Sequence, residues 1–225
     1  MFAHANAEII RTTADSGNLV ANFGSYQVYQ DDDVQMTLSA GLYTDTDAVG
    51  DAVVTEGQYH ARPTPYSAGT GITHDYDNEH TIDSWYPEVA ILTFDSVVEL
   101  AGVWLSYIDP CDTFDLFADT NNDGVLERIA KDLALPDNSI AFVDLSAYNL
   151  VGSLFGVGAS PHAPCQTSFS FSRTSSCDKT TTQSGWKLKK VVFDDVEEVP
   201  LPAAFPLFMA GLAGFGFAST RRKQA

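Results

Sequence analysis

The feature that most restricts the fold of this chain is the near absence of helical periodicity between residues 8 and 198. Short runs rich in β-branched and aromatic residues take its place, and turn-forming residues separate them. The runs are EIIRTT, NLVANF, VQMTLSA, EVAILTFDSVVELAGVWLSYID, TFDLFAD, VLERIA, SIAFVDLS, LVGSLFGVGA and GWKLKKVVFDDVEEV, the fourth of which we divide into two strands around Asp95-Ser96. Regular short strands without an alternating helix predict a mainly β domain over residues 8–198, an antiparallel β-sandwich of the jelly-roll kind.

The charge of the chain excludes one class of partner. The sequence has 12 basic and 30 acidic side chains, a formal net charge of −18, and no basic stripe interrupts the acidic body. Such a field repels phosphate backbones. We therefore expect no nucleic-acid binding.

The end of the chain differs from the body. Residues 203–218 carry no charge, and prolines precede and open this apolar run. Three consecutive cations follow it, which the positive-inside tendency places in the cytoplasm. The pattern predicts a C-terminal hydrophobic helix that crosses a membrane and leaves the body on the other side. A last core helix is the alternative, but the run has no polar face.

Residues 199–225 have three parts in order: a short motif, an apolar helix containing AGLAGFGF, and a basic end. The motif is Val199, Pro200, Leu201, Pro202 and Ala203, and the basic end is Arg221, Arg222 and Lys223. This arrangement resembles the VPLPA variant of the PEP-CTERM sorting signal. The resemblance implies an exported protein that is held transiently in the inner membrane and cut near the motif by an exosortase-type membrane protease. It also implies association with the cell surface or with extracellular polysaccharide.

Export requires an N-terminal signal, and residues 1–7 contain only its end. Small residues alternate in AHANA, as they do before a signal-peptide cleavage site, but no charged or apolar region precedes them. We interpret residues 1–7 as the remnant of a longer signal peptide; a chance run of small residues is the alternative.

Export would also permit a disulfide bond. Cys165 and Cys177 bracket a Ser/Thr-rich stretch and are the favoured pair, which leaves Cys111 without an assigned partner. Free thiols in a reducing compartment are the alternative.

Residues 57–87 predict a ligand-binding loop. They show little periodicity and combine prolines, glycines, aromatic residues and carboxylates. Tyr66, Tyr76, Asp77 and Trp85 are the candidates for contact with a sugar, by ring stacking and hydrogen bonding. The sequence favours a non-catalytic protein that engages polysaccharide or another protein, since it has none of the common catalytic motifs. The alternative is a secreted glycan-acting hydrolase with its site in this loop.

The stretch DTNNDGVLE resembles the start of a calcium-binding loop. Oxygen ligands would come from Asp119, Asn121, Asp123, the Val125 carbonyl and Glu127. Ala130 stands where a complete loop has a bidentate carboxylate, so we expect weak Ca²⁺ binding at most, unless Asp115 or Asp132 reaches in. A simple hairpin turn is the alternative.

A second polar cluster surrounds the sequence HDYDNEH. Its members are His74, Asp75, Asp77, Glu79, His80 and Asp83. A transition-metal site of two histidines and one carboxylate is conceivable there, but the spacing does not favour it over a solvated acidic loop.

Overall fold

The computed structural model describes residues 7–44, 52–77, 80–109, 112–136, 138–161 and 184–196. The chain divides into two compact units, Met1–Asp195 and Val196–Ala225, and the architecture below belongs to the first. Several sequence predictions lie outside the described residues. They are the signal-peptide remnant up to residue 6, the Cys165–Cys177 pair with Cys111, and the C-terminal helix with its sorting motif.

The described residues form fourteen strands and two short 3-10 segments, with no α-helix among them. The strands are β1 Glu8–Arg11, β2 Leu19–Asn22, β3 Gln27–Asp31, β4 Val34–Thr44, β5 Val53–Glu56, β6 Arg62–Tyr66, β7 Gly69–Thr73, β8 Ile82–Asp83, β9 Glu88–Ser106, β10 Thr113–Ala118, β11 Glu127–Ala134, β12 Ile140–Asp144, β13 Val151–Ala159 and β14 Gly185–Asp195. The 3-10 segments are Gln58–His60 and Ser146–Tyr148. All strand pairs are antiparallel. The prediction of a mainly β, antiparallel domain is confirmed.

The long strand β9 organises the fold, because two sets of strands share it. Its first half lies between β4 and β13, and its second half lies between β12 and β14. The prediction of two strands around Asp95 was wrong. The Asp95 carboxylate accepts a hydrogen bond from the backbone N–H of Gln35 at 2.9 Å, so the polar pair continues the strand instead of turning it.

The remaining strands extend these two sets outward. β3 and β5 lie along β4, β2 lies along β3, and β10 and β11 follow β13. β1, β7 and β8 pair with β14, and β6 pairs with β7.

One buried core receives side chains from both sets. The Phe94 ring lies 6.0 Å from Phe155 of β13 and 5.1 Å from Phe193 of β14. Trp186 of β14 is fully buried, and its indole N–H donates to the Thr113 carbonyl at 3.3 Å. Alternating apolar positions along the strands supply this core, as the period of two requires.

The prediction of a single long loop over residues 57–87 was wrong, because β6, β7 and β8 lie within it. Pro63 and Pro65 fall on β6, at the end of the strand order, where alternate residues need not donate to a neighbour. Gly71 of β7 lies against the chain at His80: a Cβ atom there would be 2.0 Å from the His80 carbonyl oxygen. Prolines and glycines weaken a strand signal in sequence, but here the edge position tolerates the prolines and close packing requires Gly71.

Candidate functional site

A tight turn after β7 positions the most chemically diverse cluster in the described part of the chain. The backbone N–H of His74 donates to the Asp77 carbonyl at 3.0 Å, and that of Asp77 donates back to the His74 carbonyl at 3.2 Å. This pairing turns the His74 side chain inward, where it is fully buried, and leaves Tyr76 66% exposed.

Three tyrosines form a partly exposed aromatic surface beside this turn. We call Tyr59, Tyr76 and Tyr86 the tyrosine patch. The Tyr76 ring lies edge-on to Tyr59 at 5.0 Å and is stacked with Tyr86 at 6.1 Å. The His74 ring lies beneath, 4.9 Å from Tyr86 and nearly perpendicular to it. Trp85, next to Tyr86 in the chain, is 66% exposed.

Asp75 fastens the segment that carries Tyr59. Its carboxylate lies 2.6 Å from Nδ1 of His60, and its backbone N–H donates to the Tyr59 carbonyl at 3.0 Å. Tyr59 and His60 have φ values of 53° and 56°, in the left-handed region that costs non-glycine residues free energy. The contacts of Asp75 offset this cost and hold Tyr59 against Tyr76.

A groove of about 500 Å³ adjoins the patch through His60. Its walls are Gly24, Ser25, Gly57, His60, Ala61 and Arg62. The turn that supplies Gly24 and Ser25 also carries Phe23 and Tyr26, whose exposed rings stack at 4.8 Å. Aromatic residues therefore occur in both segments that line the groove.

Beneath the patch, His74 meets a glutamate from β9. Nε2 of His74 lies 3.6 Å from Oε1 of Glu88, and both side chains are fully buried. The other carboxylate oxygen of Glu88 accepts the backbone N–H of Asp83 at 2.8 Å, which fixes the carboxylate plane. Burial lowers the pKa of His74, and the nearby charges of Asp77 and Asp75 partly oppose that decrease.

The predicted ligand residues fall into two places. Tyr76 and Asp77 share the turn, and Trp85 lies beside the patch residue Tyr86. Tyr66 lies elsewhere: its hydroxyl is 2.6 Å from Nδ1 of His80, and the Lys187 ammonium lies over its ring at 4.1 Å.

The six-residue polar cluster of the sequence is likewise divided. His74 and Asp77 come together, whereas Asp75 pairs with His60 and His80 contacts Tyr66. The Asp83 carboxylate accepts the backbone N–H of Trp85 at 2.9 Å, and Glu79 lies outside the described residues. The group of potential metal ligands among the described residues therefore contains one histidine, not two, and includes Glu88.

The predicted calcium residues form one loop between β10 and β11. Oδ1 and Oδ2 of Asp119 accept the backbone N–H groups of Asp123 at 3.1 Å and Gly124 at 2.8 Å. Oδ1 of Asn121 accepts from the Asp123 N–H at 2.9 Å, and Oε1 of Glu127 accepts from the Asn121 side chain at 3.0 Å. These oxygens already have donors within the loop, and the connection is longer than a tight hairpin turn.

Asp115 and Asp132 do not reach this loop, so that part of the prediction was wrong. Asp115 is buried, accepts Nη1 of Arg128 at 2.9 Å and accepts the backbone N–H of Asp132. The Asp132 carboxylate accepts the hydroxyl of Ser160. Both aspartates therefore serve the packing of β10, β11 and the end of β13.

Sequence reasoning missed Tyr59, Tyr86 and Glu88. A glutamate at the start of the long apolar run EVAIL was an available signal, since a charge entering a buried strand needs a partner. Comparison with protein-family models, with curated proteins and with solved structures found no match. Among the described residues, no helical segment has the length and hydropathy that crossing a membrane requires.

Proposed function

We propose that this chain is an exported, non-catalytic cell-surface or extracellular-matrix protein whose β domain binds polysaccharide. The observation that carries the proposal is the exposed tyrosine patch together with a groove of about 500 Å³, whose lining residues His60 and Ser25 are the chain neighbours of Tyr59 and Tyr26. Exposed tyrosine rings offer apolar faces and polar hydroxyls in one side chain. A polysaccharide chain presents the matching alternation of C–H faces and hydroxyl groups.

Polar groups beside the rings can orient a bound sugar through hydrogen bonds. The His60–Asp75 pair and Arg62 lie where a sugar hydroxyl can donate or accept a hydrogen bond. The net charge of −18 disfavours a polyanionic ligand, because the field of the domain repels it. Neutral or amino-sugar polymers are therefore the ligand class that we propose.

The finer fold that we propose is a jelly-roll-like sandwich. Two strand sets share β9, and Phe94, Phe155 and Phe193 join side chains of both sets in one core. Strands that pass between two packed sheets commonly do so at bulges, and the β9 pairings with β13 and β14 both contain register shifts.

The proposed export depends on the C-terminal segment. The order of the motif 199–203, the apolar helix and the cations 221–223 supports recognition by an exosortase-type membrane protease. After cleavage the domain would remain at the cell surface or enter the extracellular matrix.

We also propose that the Asp119–Glu127 loop binds Ca²⁺ weakly. Side-chain oxygens of three loop residues are already oriented by backbone N–H groups. Without a carboxylate at residue 130, the expected Kd lies near ~10⁻⁴ to 10⁻³ M. At ~100 times Kd, calcium would stabilise the domain by ~2.7 kcal/mol. Melting curves with and without calcium test this, and an equal response of wild type and Asn121→Ala would contradict it.

The proposed polysaccharide binding is tested by titrating the intact chain with a panel of soluble neutral and acidic polysaccharides. We expect binding to neutral or amino-sugar polymers and about tenfold weaker binding for Tyr76→Ala, equivalent to ~1.4 kcal/mol. Tyr107→Ala is the matched control, because Tyr107 is 59% exposed and contacts Lys187.

Two results decide against the proposal. Failure to bind any polymer contradicts it, and so does equal affinity of Tyr76→Ala and wild type. Release of reducing sugar ends during the titration would instead favour the alternative, a secreted hydrolase.

A further inference from the structure

His74, Asp77 and Glu88 bring three potential metal ligands together beneath the tyrosine patch. One ligand atom of each residue lies within 4.8 Å of the other two. Within the described part of the chain, Nε2 of His74 is buried and has no hydrogen-bond partner. Leaving such a buried polar atom without a partner is unfavourable. We infer that these three residues bind a divalent transition-metal ion of the zinc type.

The distance between the buried groups fits a shared ion better than a hydrogen bond. Nε2 of His74 and Oε1 of Glu88 are 3.6 Å apart, beyond the usual range of a hydrogen bond. Two ligands that are each about 2.0–2.1 Å from a tetrahedral zinc ion lie ~3.4 Å from each other. The observed spacing is therefore close to the spacing that two ligands of one ion require.

The donor set selects the class of ion. Calcium takes six to eight oxygen ligands, which one imidazole and two carboxylates do not supply. Imidazole nitrogen with carboxylate oxygen suits zinc and its neighbours in the first transition row. A divalent cation also offsets the cost of the fully buried Glu88 carboxylate.

The surrounding structure already orients the ligands. The backbone N–H of Asp83 holds the Glu88 carboxylate, and paired backbone hydrogen bonds hold His74 and Asp77 in one turn. The neutral form of an imidazole is the one that binds metal. Three protein ligands leave one tetrahedral position for water or for an oxygen of a bound molecule.

Metal binding has one structural consequence that can be measured. Nδ1 of His74 accepts the backbone N–H of Tyr76 at 3.2 Å in this structure, which places the proton of the neutral ring on Nε2. When Nε2 binds an ion, the proton must reside on Nδ1, and this hydrogen bond is lost. The ring tautomer of His74 and the amide signal of Tyr76 therefore change together.

Adventitious metal is first removed from the untagged intact chain with a chelator, and zinc is then titrated in. Excess calcium is present throughout, so that the calcium-loop residues 119–127 do not compete for zinc. Isothermal titration calorimetry of the wild type should show stoichiometric binding. Removing a ligand should weaken binding by more than the ~10–100-fold that loss of an outer-shell partner costs. His74→Gln and Glu88→Gln test this loss, and circular dichroism checks that both variants fold.

His80→Ala and Asn121→Ala are the matched controls. His80→Ala removes a histidine that is near in sequence, and Asn121→Ala alters the proposed calcium loop of residues 119–127. Both should bind zinc as the wild type does. Absence of stoichiometric binding to the wild type overturns the inference, and so does wild-type affinity in His74→Gln and Glu88→Gln.

If the variants do not fold, histidine-ring ¹⁵N NMR spectra of the wild type test zinc binding at His74 instead. Added zinc should convert one of the five histidines, His74, to the Nδ1–H tautomer and shift the Tyr76 amide. Unchanged signals for both residues would overturn the inference.

Discussion

The buried ion pair between β10 and β11 offers the sharpest test of the core. Nη1 of Arg128 donates to Oδ2 of Asp115 at 2.9 Å, and neither side chain is exposed. Oδ1 of Asp115 accepts the backbone N–H of Asp132 at 2.9 Å, and the Tyr43 hydroxyl lies 3.1 Å from Oδ2. The carboxylate therefore has neutral hydrogen-bond partners but takes its charge compensation from Arg128.

Replacing either residue removes the charge compensation that the pair provides inside the core. We expect Arg128→Met to lower the free energy of unfolding by about 3–5 kcal/mol, and Asp115→Asn by a similar amount. In the double variant neither charge of this pair remains, so its loss should be smaller than the sum of the single losses by at least ~1 kcal/mol.

Urea unfolding of the intact chain at pH 7 measures these differences as shifts of the midpoint at a constant denaturant slope. Lys131→Met is the matched control on the same strand. Lys131 lies 3.9 Å from Asp132, both side chains are more than a quarter exposed, and such a pair contributes less than ~1 kcal/mol. Additive single variants, or a loss for Arg128→Met no larger than for Lys131→Met, would refute the assignment of a compensated buried pair.

Three further predictions concern pH, packing and oxidation. Burial raises the pKa of Asp112 from 3.8 to about 6. The folded state then binds this proton more tightly, so Asp112 should lower stability by up to ~3 kcal/mol as pH rises from about 4 to about 6. A pH series of melting curves should show a steeper fall of stability over this range in the wild type than in Asp112→Asn. Gly71→Ala should destabilise the domain by ~1–3 kcal/mol in urea unfolding because its Cβ would meet a backbone carbonyl, whereas Gly17→Ala, with open space around it, should change stability by less than ~0.5 kcal/mol. Non-reducing peptide mapping of the exported protein should recover Cys165 and Cys177 in one linked peptide, and a free Cys177 would contradict the pairing.

The sequence predicts the class of this fold but not its connections. Alternating apolar runs are local signals, and they identify β10, β12, β13 and β14. β9 was divided wrongly because Asp95-Ser96 looks like a turn, and only the distant Gln35 amide explains why the strand continues.

The two candidate sites differ in predictability for the same reason. The proposed calcium loop, residues 119–127, is one contiguous stretch of sequence, so its residues necessarily lie close together. The cluster beneath the tyrosine patch combines the turn after β7 with the start of β9, and the contact between His74 and Glu88 depends on tertiary packing. Tyr66 was grouped with Tyr76 by proximity in sequence, but the contacts of Tyr66 are with His80 and Lys187.

Export is the claim on which the proposed function depends, because a protein that remains inside the cell does not meet extracellular polysaccharide. Intact-mass measurement of the protein recovered from the surface or medium of its native host tests this claim most directly. We expect a mature C-terminus within or beside residues 199–203 and the absence of Arg221, Arg222 and Lys223. Recovery from the cell exterior of protein that still ends at Ala225 would contradict processing, and detection of the protein only inside the cell would contradict export.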